Sequence, residues 1–582
     1  MFNLIKKLFT VLVGLGLALC LAVVGLKIAH KIYKELKKSS VTVRYNTQAP
    51  VEAKENVRVF AASSLDRIFQ DGKTLLKPRF TSSVSISAAR NEYESFQVVV
   101  QTENKTLDNV SLSLSSLIDE KNNSFIDASN MSWRVVGYVP TVKPYYPVKY
   151  VGPWPDPLMP AKKTSVPSHS TQPFWITIYV PPQAKAGDYK TIVTVKADGV
   201  SPWQTPVTLR VYDFELPKQS HLKTAFDFYG HITKTRYPQQ DKESDAAYQA
   251  RLDELNDDFI VNMIKYRENP ILNIDPTSQA DLSRVDRYMV YGLNNFSIGK
   301  KGGTFNNNWP KSDQDIEDLL PLYQTYGEDL KLNRMLKYTY IYTWDEGDMG
   351  NPQVAKITSM IHHAYPGLKN MVCYHGLWNP NELPKWGKNI DIWCFNIDDF
   401  NEAKMRRLQK IGIEMWMYVS GPSGLGTPNL ALDFDSIDYR ILSWLCWKYD
   451  IKGLLYWCVN WWQDVDPFKN AKNTNWDQNG NGLLFYPGTE GPLASLRAEV
   501  FRDGMEDYEY ILLLLTDLKL MKEKQLDKTY SQFFNDSVRL LTVDSSIAES
   551  MRHFTKDQDV LQARRNAIAE KIEQFNHLLS TQ

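Results

Sequence analysis

Five cysteines in 582 residues are few, and none stands in a C-x-x-C pair or at metal-ligand spacing with histidine. That argues against a disulfide framework and against a structural zinc site. Cys373, Cys394, Cys446 and Cys458 fall in apolar stretches and read as small hydrophobes, while Cys20 lies inside the N-terminal apolar run. There is no excess of charge of either sign: Lys+Arg and Asp+Glu are both 67. Phosphate binding needs a basic surface, so nucleic acid is not expected as a partner. A phosphate loop is missing too, because Gly421-Pro-Ser-Gly424-Leu-Gly426 lacks the Lys-Ser/Thr ending. The run Asp477-Gln-Asn479-Gly-Asn481-Gly482 begins like a calcium loop, but Gly488 stands where the bidentate acid is required. It reads as a turn-rich loop. No serine nucleophile elbow, internal repeat or low-complexity block is visible.

What the chain has in plenty is aromatic: 12% of residues, with 16 Trp and 31 Tyr. Such a content serves a large core or, if placed in a cleft, the stacking of sugar rings. The length predicts two or three domains. Lys6 and Lys7 precede an uncharged apolar run over 8–26, close to the ~20 residues that span a bilayer. Lys27, His30, Lys31, Lys34, Lys37 and Lys38 follow, with no small-residue cleavage site. An uncleaved membrane anchor over 1–38 is expected, with a cleaved signal as the alternative, then a polar linker over 39–56. The anchor places the protein in the cell envelope; the cleaved signal would instead export it. The basic residues after the run would by the positive-inside rule hold the bulk of the chain inside, so the topology stays open.

Residues 57–217 alternate apolar and polar in short runs such as SVSISA, ESFQVVVQT, FWITIYVP and KTIVTVKA. This predicts an antiparallel β-sandwich. The Pro- and Tyr-rich stretch 140–173 is expected to loop toward the next domain. Over 218–490 β-like runs alternate with helical stretches. Eight strand candidates cover 223–229, 269–274, 294–299, 337–343, 370–375, 391–397, 414–420 and 453–459. A (β/α)₈ barrel of the TIM type is their natural closure, and a doubly wound open sheet is the alternative. Residues 491–582 read as a helical region.

Active sites of such barrels lie at the C-terminal strand ends. The fourth strand ends in Thr343-Trp344-Asp345-Glu346-Gly347-Asp348. The fifth leads to Tyr374 and His375, with Trp378 beyond. The sixth leads to Asn396 and Asp398, the seventh to Tyr418, and the eighth to Trp457, Asn460, Trp461 and Trp462. Aromatic platforms with a few directional hydrogen bonders make a sugar site. Glycoside cleavage needs a proton donor and negative charge beside an oxocarbenium-like centre, and Asp345 and Glu346 supply two carboxyls. Neighbours on a regular strand point to opposite faces. The pair must therefore sit just past the strand, where the chain turns. Taken alone, a D-E-G-D run is an acidic loop; its place among aromatics at a strand end is what raises it.

The run NGNGLLFYPGTEGPLASLRAEVFRDGMEDYEYILLL resembles the C-terminal signature of glycoside hydrolase family 123 and its uncharacterised relatives. So do WMYVSGPSGLGTPNL and DYRILSWLCWKYDIKGLLYW. The resemblance spans about 222–515 and extends more weakly through the sandwich. It implies an exo-acting β-N-acetylgalactosaminidase-like activity on a glycolipid or glycoprotein oligosaccharide, without metal or organic cofactor. It also implies substrate-assisted retention, in which the substrate's 2-acetamido oxygen attacks the anomeric carbon. Asp345 would orient the acetamido group and Glu346 would serve as acid and base. Tyr374, His375, Trp378, Asn396, Tyr418, Trp457, Asn460 and Trp461 are the expected substrate-binding residues. In RDGMEDYEY, Arg502, Asp503, Glu506 and Asp507 are expected to hold the helical tail against the barrel. Two rivals remain: a glycosidase for a sugar without the acetamido group, and a non-catalytic glycan-binding envelope protein.

Overall fold

The computed structural model describes residues 56–580 apart from 73–79, 161, 300–303, 306–309, 311, 347–350, 376–388, 464, 473 and 475. The expected anchor, nearly all of the linker, Gly347, Asp348 and Trp378 therefore lie outside the described residues. Among the described residues no helix is long and apolar enough to cross a membrane.

The N-terminal region forms two sheets. One runs in the order β1 (Val57–Ser63), β3 (Glu92–Thr102), β10 (Thr171–Val180), β7 (Met131–Pro140) and β8 (Pro153–Met159). The other runs β2 (Val84–Arg90), β12 (Trp203–Glu215), β11 (Gly187–Lys196), β4 (Leu107–Leu114) and β9 (Thr164–Val166). Short β5 (Leu117–Asp119) and β6 (Ser124–Ile126) join beside β11. The period of two in GDYKTIVTVK sends Tyr189, Thr191, Val193 and Val195 inward and Lys190, Ile192 and Lys196 outward. One pairing departs from the expected antiparallel pattern: β2 runs parallel to β12. These strands are remote in sequence, so no hairpin dictates their relative direction. The Pro- and Tyr-rich stretch reaches the next domain, as Tyr146 donates to Asp433 at 2.8 Å and Lys149 pairs with Asp435 at 2.7 Å. It also supplies β8 and β9.

Seven parallel strands follow: β13 (Lys223–Phe226), β14 (Phe296–Ser297), β15 (Thr339–Trp344), β16 (Asn370–Tyr374), β17 (Ile392–Asn396), β18 (Glu414–Val419) and β19 (Gly453–Tyr456). From β14 to β19 each pairs with the next in sequence, and the last, β19, pairs with the first, β13. That closure excludes a doubly wound sheet, whose strand order reverses. The expected eight strands are corrected to seven. Residues 269–274 fill the gap between β13 and β14 only through single bridges, Phe226 to Pro270 and Ile274 to Ile298. Pro270 has no N–H to donate, and Asn273 adopts a left-handed φ of 49°, so a regular ladder cannot form there. The result is a nearly closed, TIM-like barrel filled by Tyr340, Met371, Cys373, Cys394, Trp416 and neighbours.

Beyond the hairpin β20 (Phe485–Gly488) and β21 (Gly491–Ala494), Ser495 accepts the Ala498 N–H and starts a helix over Leu496–Glu523. Its first turns are buried on every side, so it is a shared core element rather than a tail. Asp507 accepts from Arg440 of the barrel helix Ser436–Tyr449 at 2.7 and 2.8 Å and from the Trp444 indole at 2.9 Å. Glu506 faces Arg267 at 3.4 Å, while Arg502 pairs with Glu499 and lies over the rings of Tyr93 and Tyr266. Burial pushes the Asp503 carboxyl well above the usual carboxylate range. The expectation that this motif holds the helix to the barrel is met by Asp507 and Glu506, and the network goes further. Arg497 grips Asp156 of β8 at 2.8 Å, and Arg565 of the last helix pairs with Glu92 and Glu94 of β3. Gly504 lets the helix approach, since a Cβ there would lie 2.6 Å from the Arg440 carbonyl oxygen.

Candidate active site

Asp345 and Glu346 follow the last residue of β15. Glu346 takes a left-handed φ of 44°, a conformation costly for a residue with a Cβ. This breaks the alternation that would send the two side chains to opposite faces. Asp345 stays above its own strand, where the Tyr342 phenol donates to Oδ1 at 2.6 Å. Glu346 reaches past β16 and β17 to β18, where the Tyr418 phenol donates to Oε1 at 2.6 Å. Two carboxyls that are adjacent in sequence thus open on one barrel mouth, each held by a tyrosine from a different wall. Asp345 is half-buried and Glu346 exposed. Burial raises the Asp345 carboxyl above its ordinary range; the Tyr342 hydrogen bond opposes this and the Glu346 charge adds to it. Burial, with the neighbouring carboxylate, pushes both phenols far up, so they stay neutral donors.

The other expected residues separate into groups. Asn396 ends β17, accepts the Asp398 N–H at 3.0 Å and hydrogen-bonds Tyr418, so it backs the tyrosine that holds Glu346. Tyr374 is nearly buried and packs against Trp393 at 5.6 Å. His375 sits on the rim with Nδ1 2.9 Å from Asp399 Oδ2. Asn460 is fully buried, accepting the Tyr229 N–H at 2.9 Å and donating to the Tyr229 carbonyl at 3.1 Å. It ties the exit of β19 to that of β13. Trp457 and Trp461 are half-buried with ring centroids 5.4 Å apart, and the Trp457 indole donates to Asn481 at 2.8 Å. Trp462 is core, donating to the Phe485 carbonyl.

The sequence reading missed Asp227, directly after β13. Its signal was present, since KTAFDFY places an acid just past a barrel strand, as at Asp345. The Asp227 backbone is pinned between neighbours, donating to Tyr456 at 3.0 Å and accepting from Val459 at 2.9 Å. The carboxyl accepts from the Phe228 N–H and the Tyr229 phenol. Burial pushes it up to about 7 against those bonds, and the charge of Asp345 adds to the rise. A third acid therefore lies within the field of Asp345. Among the described residues no group of three or more His, Cys, Asp or Glu side chains is placed to hold a metal ion.

Comparison with known families gives the class, a glycoside hydrolase. The chain belongs to glycoside hydrolase family 123: the family's catalytic-domain model matches residues 256–514 and its N-terminal-domain model matches residues 63–197. Among solved structures the chain is similar to a family 123 glycoside hydrolase from Clostridium perfringens that hydrolyses glycolipid glycans. The TM-score is 0.66 at 14% identity, over 90% of this chain and 99% of that one, a likeness of fold. A family 39 glycoside hydrolase from Bacteroides cellulosilyticus has a TM-score of only 0.32 at 10% identity, over 73% of this chain and 82% of that one. No curated protein matches the chain.

Proposed function

We propose that this glycosidase removes a terminal β-linked N-acetylhexosamine, N-acetylgalactosamine first, from a glycolipid or glycoprotein oligosaccharide by substrate-assisted retention. The observation that carries the reading is the split anchoring of Asp345 and Glu346 on one mouth. Glu346, exposed and steadied by Tyr418, protonates the glycosidic oxygen as the C1–O bond breaks. The acetamido carbonyl oxygen bonds to C1 in the same step and forms an oxazolinium ion, while Asp345 accepts the acetamido N–H and offsets the positive charge. Glu346 then takes a proton from water as its oxygen bonds to C1, which reopens the ring with retention. The C. perfringens relative's action on glycolipid glycans supports this substrate class. The uncharged apolar run over 8–26 supports a place at the cell envelope, held by an anchor or reached by export.

Asp227 favours a second reading. With Glu346 as acid and base, the Asp227 carboxyl on another strand offers a nucleophile for ordinary two-carboxylate retention, which needs no acetamido group. One set of assays separates the two: hydrolysis of the 4-nitrophenyl β-glycosides of N-acetylgalactosamine, N-acetylglucosamine and galactose, beside Glu346→Gln and a 2-methylthiazoline transition-state mimic. Turnover confined to acetamido sugars, lost in Glu346→Gln and blocked by the thiazoline, is the expected result. Turnover of the plain galactoside, insensitive to the thiazoline, would replace it with the second reading. A folded protein that turns over none of the three would point to a glycan-binding role.

A further inference from the structure

An unbroken line of aromatic rings leaves the acids and climbs to the surface. It starts at Tyr229, whose phenol donates to Asp227 and lies within the field of Asp345. Trp461 stands 5.8 Å from Tyr229, Trp457 5.4 Å from Trp461, and Trp476 6.0 Å from Trp457, centroid to centroid. The first three rings are half-buried, whereas Trp476 is 56% exposed. The Trp457 ring is set by design: a Cβ on Gly482 would lie 2.2 Å from it, so the indole rests on a bare backbone while its N–H is held by Asn481. Tyr145, 58% exposed, joins the same rim from the sandwich side, where its N–H donates to the Asp477 carbonyl at 3.3 Å and its phenol accepts from Gln478 at 2.9 Å.

We propose that Trp457, Trp476 and Tyr145 form an outer subsite that stacks the sugars on the reducing-end side of the cleaved bond. This rests on the glycosidase reading above and extends it to an oligosaccharide substrate. Exposed indole surface is unfavourable in water, and the apolar faces of pyranose rings are a natural cover for it. The amide and phenol groups set between the rings suit hydroxyl-bearing sugars rather than acyl chains. Continuity with the acids fixes which sugars these are. With the terminal residue held at Asp345 and Glu346, the rest of the glycan must leave along the open end of the line.

The test compares Trp476→Ala and Trp476→Phe with the parent protein on two substrates. One is 4-nitrophenyl β-N-acetylgalactosaminide and the other is N-acetylgalactosaminyl-β-lactose. The expected result is a fall of about tenfold in the trisaccharide-to-monosaccharide ratio of kcat/KM for Trp476→Ala, carried by KM, with Phe restoring most of it. An unchanged ratio would overturn the outer subsite while leaving the glycosidase reading intact. If the parent hydrolyses neither compound, the glycosidase reading fails, and the subsite is judged by titrating the trisaccharide against the full chain. Binding weakened by Trp476→Ala supports the subsite; binding that is absent, or equal in the two proteins, overturns it.

Discussion

Tyr418→Phe isolates one contact in the proposed proton transfer. Tyr418 is only 3% exposed and fills the barrel interior with its ring, so phenylalanine keeps the packing and removes one hydroxyl. That hydroxyl is the donor that holds Glu346 Oε1 at 2.6 Å, across three strands from the backbone that carries it. A hydrogen bond to a charged group is worth about 1.5–3 kcal/mol. Glu346 is exposed, so water replaces part of the loss and the lower end applies. At about 1.4 kcal/mol per tenfold, the expected cost is about tenfold in kcat, with little change in KM. The loss must depend on the leaving group. An alkyl or sugar leaving group needs the proton from Glu346 and bears the whole cost. A 2,4-dinitrophenyl leaving group departs without it, so the first step is nearly spared. Steady-state rates on both aglycones, with thermal unfolding as a check on folding, decide the matter. Equal losses on the two, or no loss on either, would refute the assignment of Glu346 as the acid that Tyr418 positions.

Asp227→Asn should remove one ionisation near pH 7 from the kcat/KM profile; superimposable profiles would show that Asp227 does not act on the reacting groups. The same group bears on stability. Folded, Asp227 keeps its proton up to about pH 7, and unfolded only to about pH 4, so the folded state binds more protons between the two and stability falls as pH rises through that window. Urea unfolding should show a shallower decline in the variant. Gly504→Ala sets a Cβ 2.6 Å from the Arg440 carbonyl oxygen and 3.0 Å from its Cα, backbone atoms that no rotamer can move. Overpacking of this kind costs about 1–3 kcal/mol, more than the ~1 kcal/mol that alanine gains in helix propensity, so a lower unfolding midpoint is expected and a higher one would refute the close approach.

Much of the architecture was legible because local patterns carried it. The alternation in GDYKTIVTVK gives a half-buried strand wherever it occurs. Each of seven β-like runs in the catalytic region became a strand at its expected place. The eighth did not, because Pro270 and the left-handed Asn273 break the ladder in a run whose apolar residues suggested a strand. The strand-end rule pointed to Asp345 and Glu346, which the structure brings to one barrel mouth, and the same rule applied to the first strand points to Asp227. It misread Asn460, which is polar and at a strand end but is used up by the Tyr229 backbone. Nothing in a linear sequence shows whether a polar side chain at a strand end already has its partners.

Taken alone, the sequence determined the order of strands and helices, the family motifs and the acidic pair, all of which depend on residues close together in the chain. Tertiary structure decided what depends on residues far apart. The Tyr418 that holds Glu346 is 72 positions away, and the Arg565 that meets Glu92 is 473 positions away. Barrel closure likewise joins β13 to β19 across most of the domain. Side chains meet there because burial of apolar surface folds the chain into one geometry, and only that geometry brings separate walls to a common mouth.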